Sequence, residues 1–474
     1  MTEENNEDKS TIPSRREFLK TSTIAAASFM IVPRFVLGGK GYIAPSDRLL
    51  VASVGVGGKG GDDIDHFSRT GKAEIAYLCD VDDTRAATSV KNFPKAKFYR
   101  DWREMFEKES KHFDAVSVST PDHTHAIVAY HAMQLGKHVY VQKPLTHDIA
   151  EARLLTTAAK KYKVVTQMGN QGSSNDGTRL LTEWYDNDII GDVHTVYCWT
   201  NRPVWPQGIP WPVAKAEIPT TLDWDLWLGT APKKNFVENL VPFNWRGWWD
   251  YGTGALGDMG CHLVEAPFRV LGLQYAKDVQ ASVGSVYVGE FKQGHFPESC
   301  PPSSHITLTF PKTNKTKGDV TVHWMDGGIQ PERPEELGPN ERFGDDGNGT
   351  LFIGTKGKMI ASTYSENPLL LPTSRTKEIN VKQTIARVPG QQNGHYGQWI
   401  EGCLAGYGKT QLSSSFDVAG PLTEALLMAN LAVRGHELLG GHIKMVWDNE
   451  NMRITNFDAV NQYVKRQYRE GWTI

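Results

Sequence analysis

Leu49-Leu50-Val51-Ala52-Ser53-Val54-Gly55-Val56-Gly57-Gly58-Lys59-Gly60 is the stretch on which the fold turns. Its six apolar and small residues read as a buried strand, and the glycines after them read as a tight turn opening a helix near residues 62–68. A GxGxxG pattern alone says little in a chain with 45 glycines among 474 residues. Its surroundings make it specific. A second strand, residues 74–79, ends at Asp80, 20 positions beyond Gly60, where a carboxylate is placed to accept hydrogen bonds from a ribose 2′-hydroxyl. Gly55, Gly57 and Gly60 allow the loop, with Val56, Gly58 and Lys59, to bring backbone close to a pyrophosphate at the helix N-terminus. A carboxylate at 80 repels a 2′-phosphate, so NAD is expected over NADP; Arg85 and Lys59 are the residues that would accommodate NADP.

Short β-branched runs alternate with helical patterns from Arg48 onward, as βαβ units on a parallel sheet require. A strand at 115–119 ends in Thr120-Pro121-Asp122-His123-Thr124-His125, and after a helix comes Gly136-Lys137-His138-Val139-Tyr140-Val141-Gln142-Lys143-Pro144. These motifs resemble the Gfo/Idh/MocA oxidoreductases, whose pattern is a TPxxxH turn, a helix, then GKHV and EKP. The resemblance runs from about Asp47 to the C-terminus and is strongest over residues 55–265. It implies an α/β protein: a Rossmann domain (47–168) joined to an α/β domain (169–474) whose large, open, mostly antiparallel sheet forms the substrate face. The nicotinamide would lie between them, with a C-terminal helix packing back on the first domain. Thr120, Asp122, His125, Gln142 and Lys143 become cofactor neighbours, and Lys143 matches the EKP lysine beside the reacting hydroxyl. Gln142 departs from the pattern, which has glutamate there, and so removes a charge next to Lys143. His123, His125 and His131 are not read as a metal site, because no cysteine or paired carboxylate completes a tetrahedral set.

Residues 164–168 form a strand ending at Gly169-Asn170-Gln171-Gly172, the expected crossover, which puts Asn170 near both ligands. Eight of the 14 tryptophans fall within residues 199–249, a proline-rich stretch expected to form long ordered loops. Aromatic faces suit the C–H faces of a sugar ring, and about half of these rings are expected simply to pack the loops. The run Trp245-Arg246-Gly247-Trp248-Trp249-Asp250-Tyr251-Gly252-Thr253-Gly254 then opens a helix carrying Asp258 and His262 at i and i+4, close enough to touch. They match the family's DxxxH element, which implies that His262 takes the hydroxyl proton as hydride leaves and that Asp258 orients its ring. Substrate contacts are expected from Lys143, Asn170, Arg246, Tyr251, Asp258 and His262. Strands at 304–310 and 320–324 follow, then a long polar loop at 329–349. The apolar stripe Leu422, Ala425, Leu426, Ala429, Val433 predicts a packing helix stopped by Gly440 and Gly441.

At 39% hydrophobic and 22% charged residues the chain is neither disordered nor a small disulfide scaffold. Its 51 Lys and Arg against 54 Asp and Glu leave a net charge of −3, so nucleic acid is not an expected partner. Five cysteines without CxxC spacing give no metal framework. After residue 40 no apolar run approaches the ~18 residues of a membrane span. Residues 1–37 contain Ser14-Arg15-Arg16-Glu17-Phe18-Leu19-Lys20 and a mildly apolar stretch at 21–32, and resemble a twin-arginine export signal. That resemblance implies a periplasmic protein, exported folded and cofactor-loaded by the twin-arginine machinery. The expected function is oxidation or reduction of a secondary hydroxyl or ketone of a sugar or glycoside with NAD. One alternative is an NAD-retaining glycosidase like glycoside hydrolase family 109: transient oxidation acidifies a neighbouring C–H, the aglycone is eliminated, water adds and the ketone is reduced again. Another is a non-catalytic sugar-binding protein, against which Lys143, Asp258 and His262 speak. Homo-oligomerisation is left open.

Overall fold

The structure, a computed structural model, describes residues 47–474 apart from His442; the twin-arginine-like segment lies outside them. Six strands, β1 (Leu49–Val54), β2 (Ala73–Cys79), β3 (Lys97–Tyr99), β4 (Ala115–Val118), β5 (His138–Gln142) and β6 (Thr166–Gly169), form one parallel sheet in the order β3-β2-β1-β4-β5-β6. Val51, Ala52, Val116, Val118, Val139 and Val141 are fully buried, as strands covered on both faces require. This is the doubly wound order in which strand direction of travel reverses between β1 and β4, opening a crevice at their carboxyl ends.

The second sheet has nine strands: β7 (Val193–Trp199), β8 (Asp278–Val283), β11 (Ser304–Phe310), β12 (Val320–Met325), β13 (Gly349–Gly354), β14 (Gly357–Ala361), β15 (Leu369–Leu371), β16 (Met445–Asp448) and β17 (Arg453–Ile454). A separate hairpin pairs β9 (Tyr287–Gly289) with β10 (Lys292–Gln293). The large sheet runs β15-β14-β13-β7-β12-β11-β8-β16-β17, and only β7 and β12 pair in parallel. Period-two alternation sorts its faces: Ile306, Leu308 and Phe310 of β11 are buried while His305, Thr307 and Thr309 are half-buried on the other side. The expected α/β class, a Rossmann domain with a mostly antiparallel second sheet, is what the chain forms.

Two late helices tie the halves together. Tyr396, Trp399, Ile400 and Cys403 of Gln391–Ala405 join Leu49, Val51 and Phe67 in one apolar cluster of the first domain. Phe416–Leu439 packs against Ile149–Tyr162, against β8 and against Gly254–Leu263. It carries the whole predicted stripe and stops at Gly440 in the left-handed conformation (φ +64°). By length and composition this helix could cross a membrane, yet most of it is buried within the fold. A search for unbroken apolar runs passes over it because Thr423, Glu424 and Asn430 interrupt the sequence. Glu424 is compensated internally by Arg153, with Nε and Nη2 at 2.8 and 2.7 Å from its carboxylate.

Candidate active site

A cleft of about 660 Å³ opens at the ends of β1 and β4, within the size range of cofactor and substrate pockets. Gly55 has φ +78°, and a Cβ there would stand 2.7 Å from the Ser119 carbonyl carbon, so only glycine fits. A Cβ on Gly60 would lie 1.8 Å from the Gly55 oxygen, which is how the helix Lys59–Arg69 can start so close to the turn. Gly55, Gly57, Gly58 and Lys59 line the cleft; Val56 is buried in the core and Gly60 backs the turn, so these two shape the site without facing it. Asp82, Asp101 and Asp148 each cap the helix that follows them, whereas no side chain caps Lys59–Arg69. An open helix N-terminus beside a glycine turn is a place for a pyrophosphate.

Asp80 reaches the cleft but is not idle there. Its Oδ2 accepts from the backbone N–H groups of Val56 (2.8 Å) and Gly57 (3.1 Å), and Oδ1 accepts from Asp82 N–H (3.1 Å). Burial raises its carboxyl despite these bonds. The expected ribose acceptor is therefore also the residue that fixes the glycine loop, using the lone pairs left over for any ligand. Lys59, expected as a possible 2′-phosphate partner, is instead committed to Asp62, to Asp63 at 2.8 Å and to the Tyr396 hydroxyl at 2.7 Å. Arg85 lies against Gly57 and Gly58 and lines the cleft.

The departure at Gln142 has a physical reason. Asp63 is fully buried, and its Oδ2 accepts from Gln142 Nε2 (2.8 Å) and Ser119 Oγ (2.8 Å). A glutamate at 142 would press a second carboxylate on the first, so the amide is the neutral partner that Asp63 needs. The loss of charge there does not strand Lys143, whose Nζ donates to Asp258 Oδ1 (2.7 Å) and to the Asp258 carbonyl (2.8 Å), leaving its third N–H uncommitted to either. Arg246 Nε stands 3.4 Å from the same Oδ1, its guanidinium 4.4 and 4.6 Å from the Trp245 and Phe243 ring centres. Burial alone would raise the Asp258 carboxyl, but the charges of Lys143 and Arg246 outweigh it and hold it below the usual range.

Asp258 therefore serves the two cations and makes no hydrogen bond to His262, contrary to the expected pairing. The orienting group is Asn170. Its Nδ2 donates to the Cys261 carbonyl (2.7 Å), so its Oδ1, 2.8 Å from His262 Nδ1, must accept. Nδ1 then carries the proton and Nε2 keeps its lone pair. Burial, and after it the Lys143 charge, pull the imidazole down to about 3. The neutral imidazole, its tautomer fixed, presents a free Nε2 lone pair, and the uncommitted Lys143 N–H is a donor for an oxygen gathering negative charge. Thr120 and Asp122 also face the cleft, Asp122 accepting from Thr253 Oγ1 at 2.8 Å.

Three expected contacts fall elsewhere. Asn170 is buried behind His262 rather than against a ligand. His125 places both ring nitrogens 2.8 Å from backbone carbonyls, of Pro144 and Thr120, and so staples the Lys143-Pro144 turn to the end of β4. Tyr251 is fully buried in an aromatic cluster with Trp227 and Trp248, away from the cleft. Of the eight tryptophans between 199 and 249 only Trp227 and Trp245 line the cleft, fewer than expected, and no strand of the nine-stranded sheet does. What closes the cleft is loop. Residues 221–223 lie along the end of β2, with Asp83 N–H donating to Thr221 O (3.0 Å) and Asp223 N–H to Val81 O (2.8 Å). Tyr364, whose ring stands 4.9 Å from that of His262, together with Gln392 and Trp472, completes the lining from distant parts of the chain.

Comparison with known proteins agrees with this architecture. Residues 49–170 match the Gfo/Idh/MocA model described as oxidoreductase family, NAD-binding Rossmann fold, and residues 192–295 match that family's C-terminal alpha/beta domain. Both matches support the Gfo/Idh/MocA family and an NAD-binding first domain. A glycosyl hydrolase family 109 protein of Shewanella pealeana is 27% identical over 192 residues, covering 35% of this chain and 42% of that protein. The chain thus aligns with about two-fifths of the length of this relative. The WlbA dehydrogenase of Bordetella pertussis, solved with NADH and UDP-GlcNAcA, superposes with a TM-score of 0.56 at 16% identity, over 85% of this chain and 100% of that one. The aldose-aldose oxidoreductase of Caulobacter crescentus gives 0.52 at 17% identity, over 84% and 100%. At these identities the likeness of the solved structures is one of fold.

Proposed function

We propose that this Gfo/Idh/MocA-type chain is an NAD-dependent oxidoreductase that moves hydride between the cofactor and a secondary carbinol or ketone carbon of a sugar or glycoside. The observation that carries this reading is the His262 tautomer fixed by Asn170, beside the Lys143 ammonium, in the cleft entered by the glycine loop. NAD, when bound, supplies the hydride acceptor. Gly55, Gly57 and the open N-terminus of Lys59–Arg69 would hold its pyrophosphate, and Asp80 its ribose, in preference to NADP because a 2′-phosphate would meet a carboxylate. His262 Nε2 accepts the hydroxyl proton while Lys143 Nζ donates to the same oxygen as charge builds on it. Arg246 and the Trp245 and Phe243 faces position the sugar. Asp258 holds both cations in place and offsets one of their two charges. Export through the twin-arginine route fits an enzyme that folds around its cofactor before leaving the cytoplasm.

A second reading, the NAD-retaining glycosidase, draws support from the family 109 relative and from the loops that roof the dinucleotide end of the cleft. One experiment separates the two: present NAD-loaded protein with a panel of sugars and aryl glycosides, following absorbance at the NADH band and free aglycone together. Accumulating NADH supports net oxidation; aglycone release without it supports the hydrolase; neither signal, with sugar binding intact, leaves a binding protein.

A further inference from the structure

A second cavity of about 140 Å³ shares no lining residue with the cleft. Its walls include an arginine that no carboxylate touches. The Arg434 guanidinium lies 3.4 Å from the Tyr463 ring centre and 5.4 Å from that of Trp249. It makes no ion pair with any described carboxylate: Tyr463 is its side-chain hydrogen-bond partner, and Glu437, one turn along the helix, acts on it only from beyond ion-pair distance. Trp249 Nε1 is buried without a partner, and the buried imidazole of His147, which burial keeps neutral, is turned toward the Gly252 carbonyl. The carboxylates on the same walls are already engaged: Asp250 pairs with Lys234 at 2.6 Å, and Asp148 accepts from Glu151 N–H at 2.9 Å and faces Arg466 at 3.5 Å. Arg466 is met in turn by Glu151 at 2.8 Å. Asn430 and Gln462 each donate one amide N–H, to the Thr253 and Ala459 carbonyls respectively.

Arg434 is thus the one charge of the cavity without a counter-charge in contact, and a partly buried guanidinium in that position gains most from an oxyanion that can take two of its N–H groups at once. We propose that this cavity is a binding site for a small oxyanion, a phosphate or a compact carboxylate, held by Arg434 with Trp249 Nε1 as the second donor. The volume suits it, since ~30 Å³ per water leaves space for a phosphate-sized group. Water could satisfy the donors but not the charge. The site also touches the working end of the molecule. Gly252 and Thr253 form part of its wall and lead into the helix that carries Asp258 and His262, and Thr253 Oγ1 donates to Asp122 in the cleft.

The test uses the full chain saturated with NAD, so that the pyrophosphate position is filled, titrated calorimetrically with inorganic phosphate and with acetate at constant ionic strength. Saturable binding of either is expected. Arg434→Gln should weaken it at least about tenfold, the worth of a lost charge-assisted bond, with NAD retention unchanged. Trp249→Phe, which keeps an aromatic side chain and removes the Nε1 donor with the pyrrole half of the indole, should weaken it as well, and serves alone should Arg434→Gln fail to fold. No saturable binding of either anion, or binding indifferent to both substitutions, would overturn the proposal.

Discussion

Asn170→Ala isolates the hydrogen bond on which the proton-transfer step depends. The change deletes the acceptor 2.8 Å from His262 Nδ1 and the donor 2.7 Å from the Cys261 carbonyl, at a residue that does not itself line the cleft. A buried N–H left without an acceptor costs about 1–3 kcal/mol. The imidazole avoids that cost by moving its proton to Nε2, which removes the lone pair facing the substrate. At about 1.4 kcal/mol per decade, the competent tautomer becomes scarcer by a factor of about 5 to 150, and single-turnover NADH formation slows by the same factor. NAD affinity, read by fluorescence quenching, should not move. Asn170→Asp gives the complementary signature: a carboxylate at Nδ1 raises the imidazole from its depressed position near 3, so the rate should begin to fall at a higher pH on acidification than in the parent. An Asn170→Ala enzyme within twofold of the parent, with an Asn170→Asp pH profile that overlays it, would refute the argument.

Asp80→Ala should weaken NAD by about ten- to a hundredfold in equilibrium binding and NADP by less, because it removes loop anchoring, ribose contact and repulsion of a 2′-phosphate together; equal losses for both cofactors would show that only the loop is at stake. Lys143→Ala should lower the single-turnover rate by removing the donor beside the developing alkoxide, whereas Asp258→Asn, which leaves His262 correctly oriented, should raise the substrate KM more than it lowers that rate. Gln142→Glu sets a carboxylate against buried Asp63 and should destabilise the fold by about 1–3 kcal/mol in urea unfolding at pH 8, the deficit shrinking as the pH falls and one of the pair protonates.

The dinucleotide half was readable because its determinants are local: Gly55 to Gly60, Asp80, and the Lys143-Pro144 turn each lie at the end of a strand whose apolar pattern announces it. Asp258 and His262 were legible as a helical pair, but their partners were not, since Asn170 reaches His262 only through the packing of the crossover loop on a helix about 90 residues away in sequence. Proximity along the chain suggested that Tyr251 and His125 face the ligands; burial and two backbone carbonyls claim them instead. Tyr364, Gln392 and Trp472 arrive from a loop, the start of the helix Gln391–Ala405 and the C-terminal segment, where no pattern marks a residue as cleft-lining. The pairing of Asp63 with Gln142 did leave a trace: an acidic residue on the first helix, and a neutral amide where the resemblance calls for an acid. Along the open sheet, alternation reveals which residues are buried but not which face meets the cleft.

The most direct measurement of the account is single-turnover NADH formation by His262→Ala on NAD-loaded protein, with whichever sugar the panel identifies. If His262 Nε2 is the proton acceptor, the rate should fall by about 100- to 10,000-fold while NAD still binds as in the parent. A rate within threefold of the parent, with the cofactor bound, would contradict it.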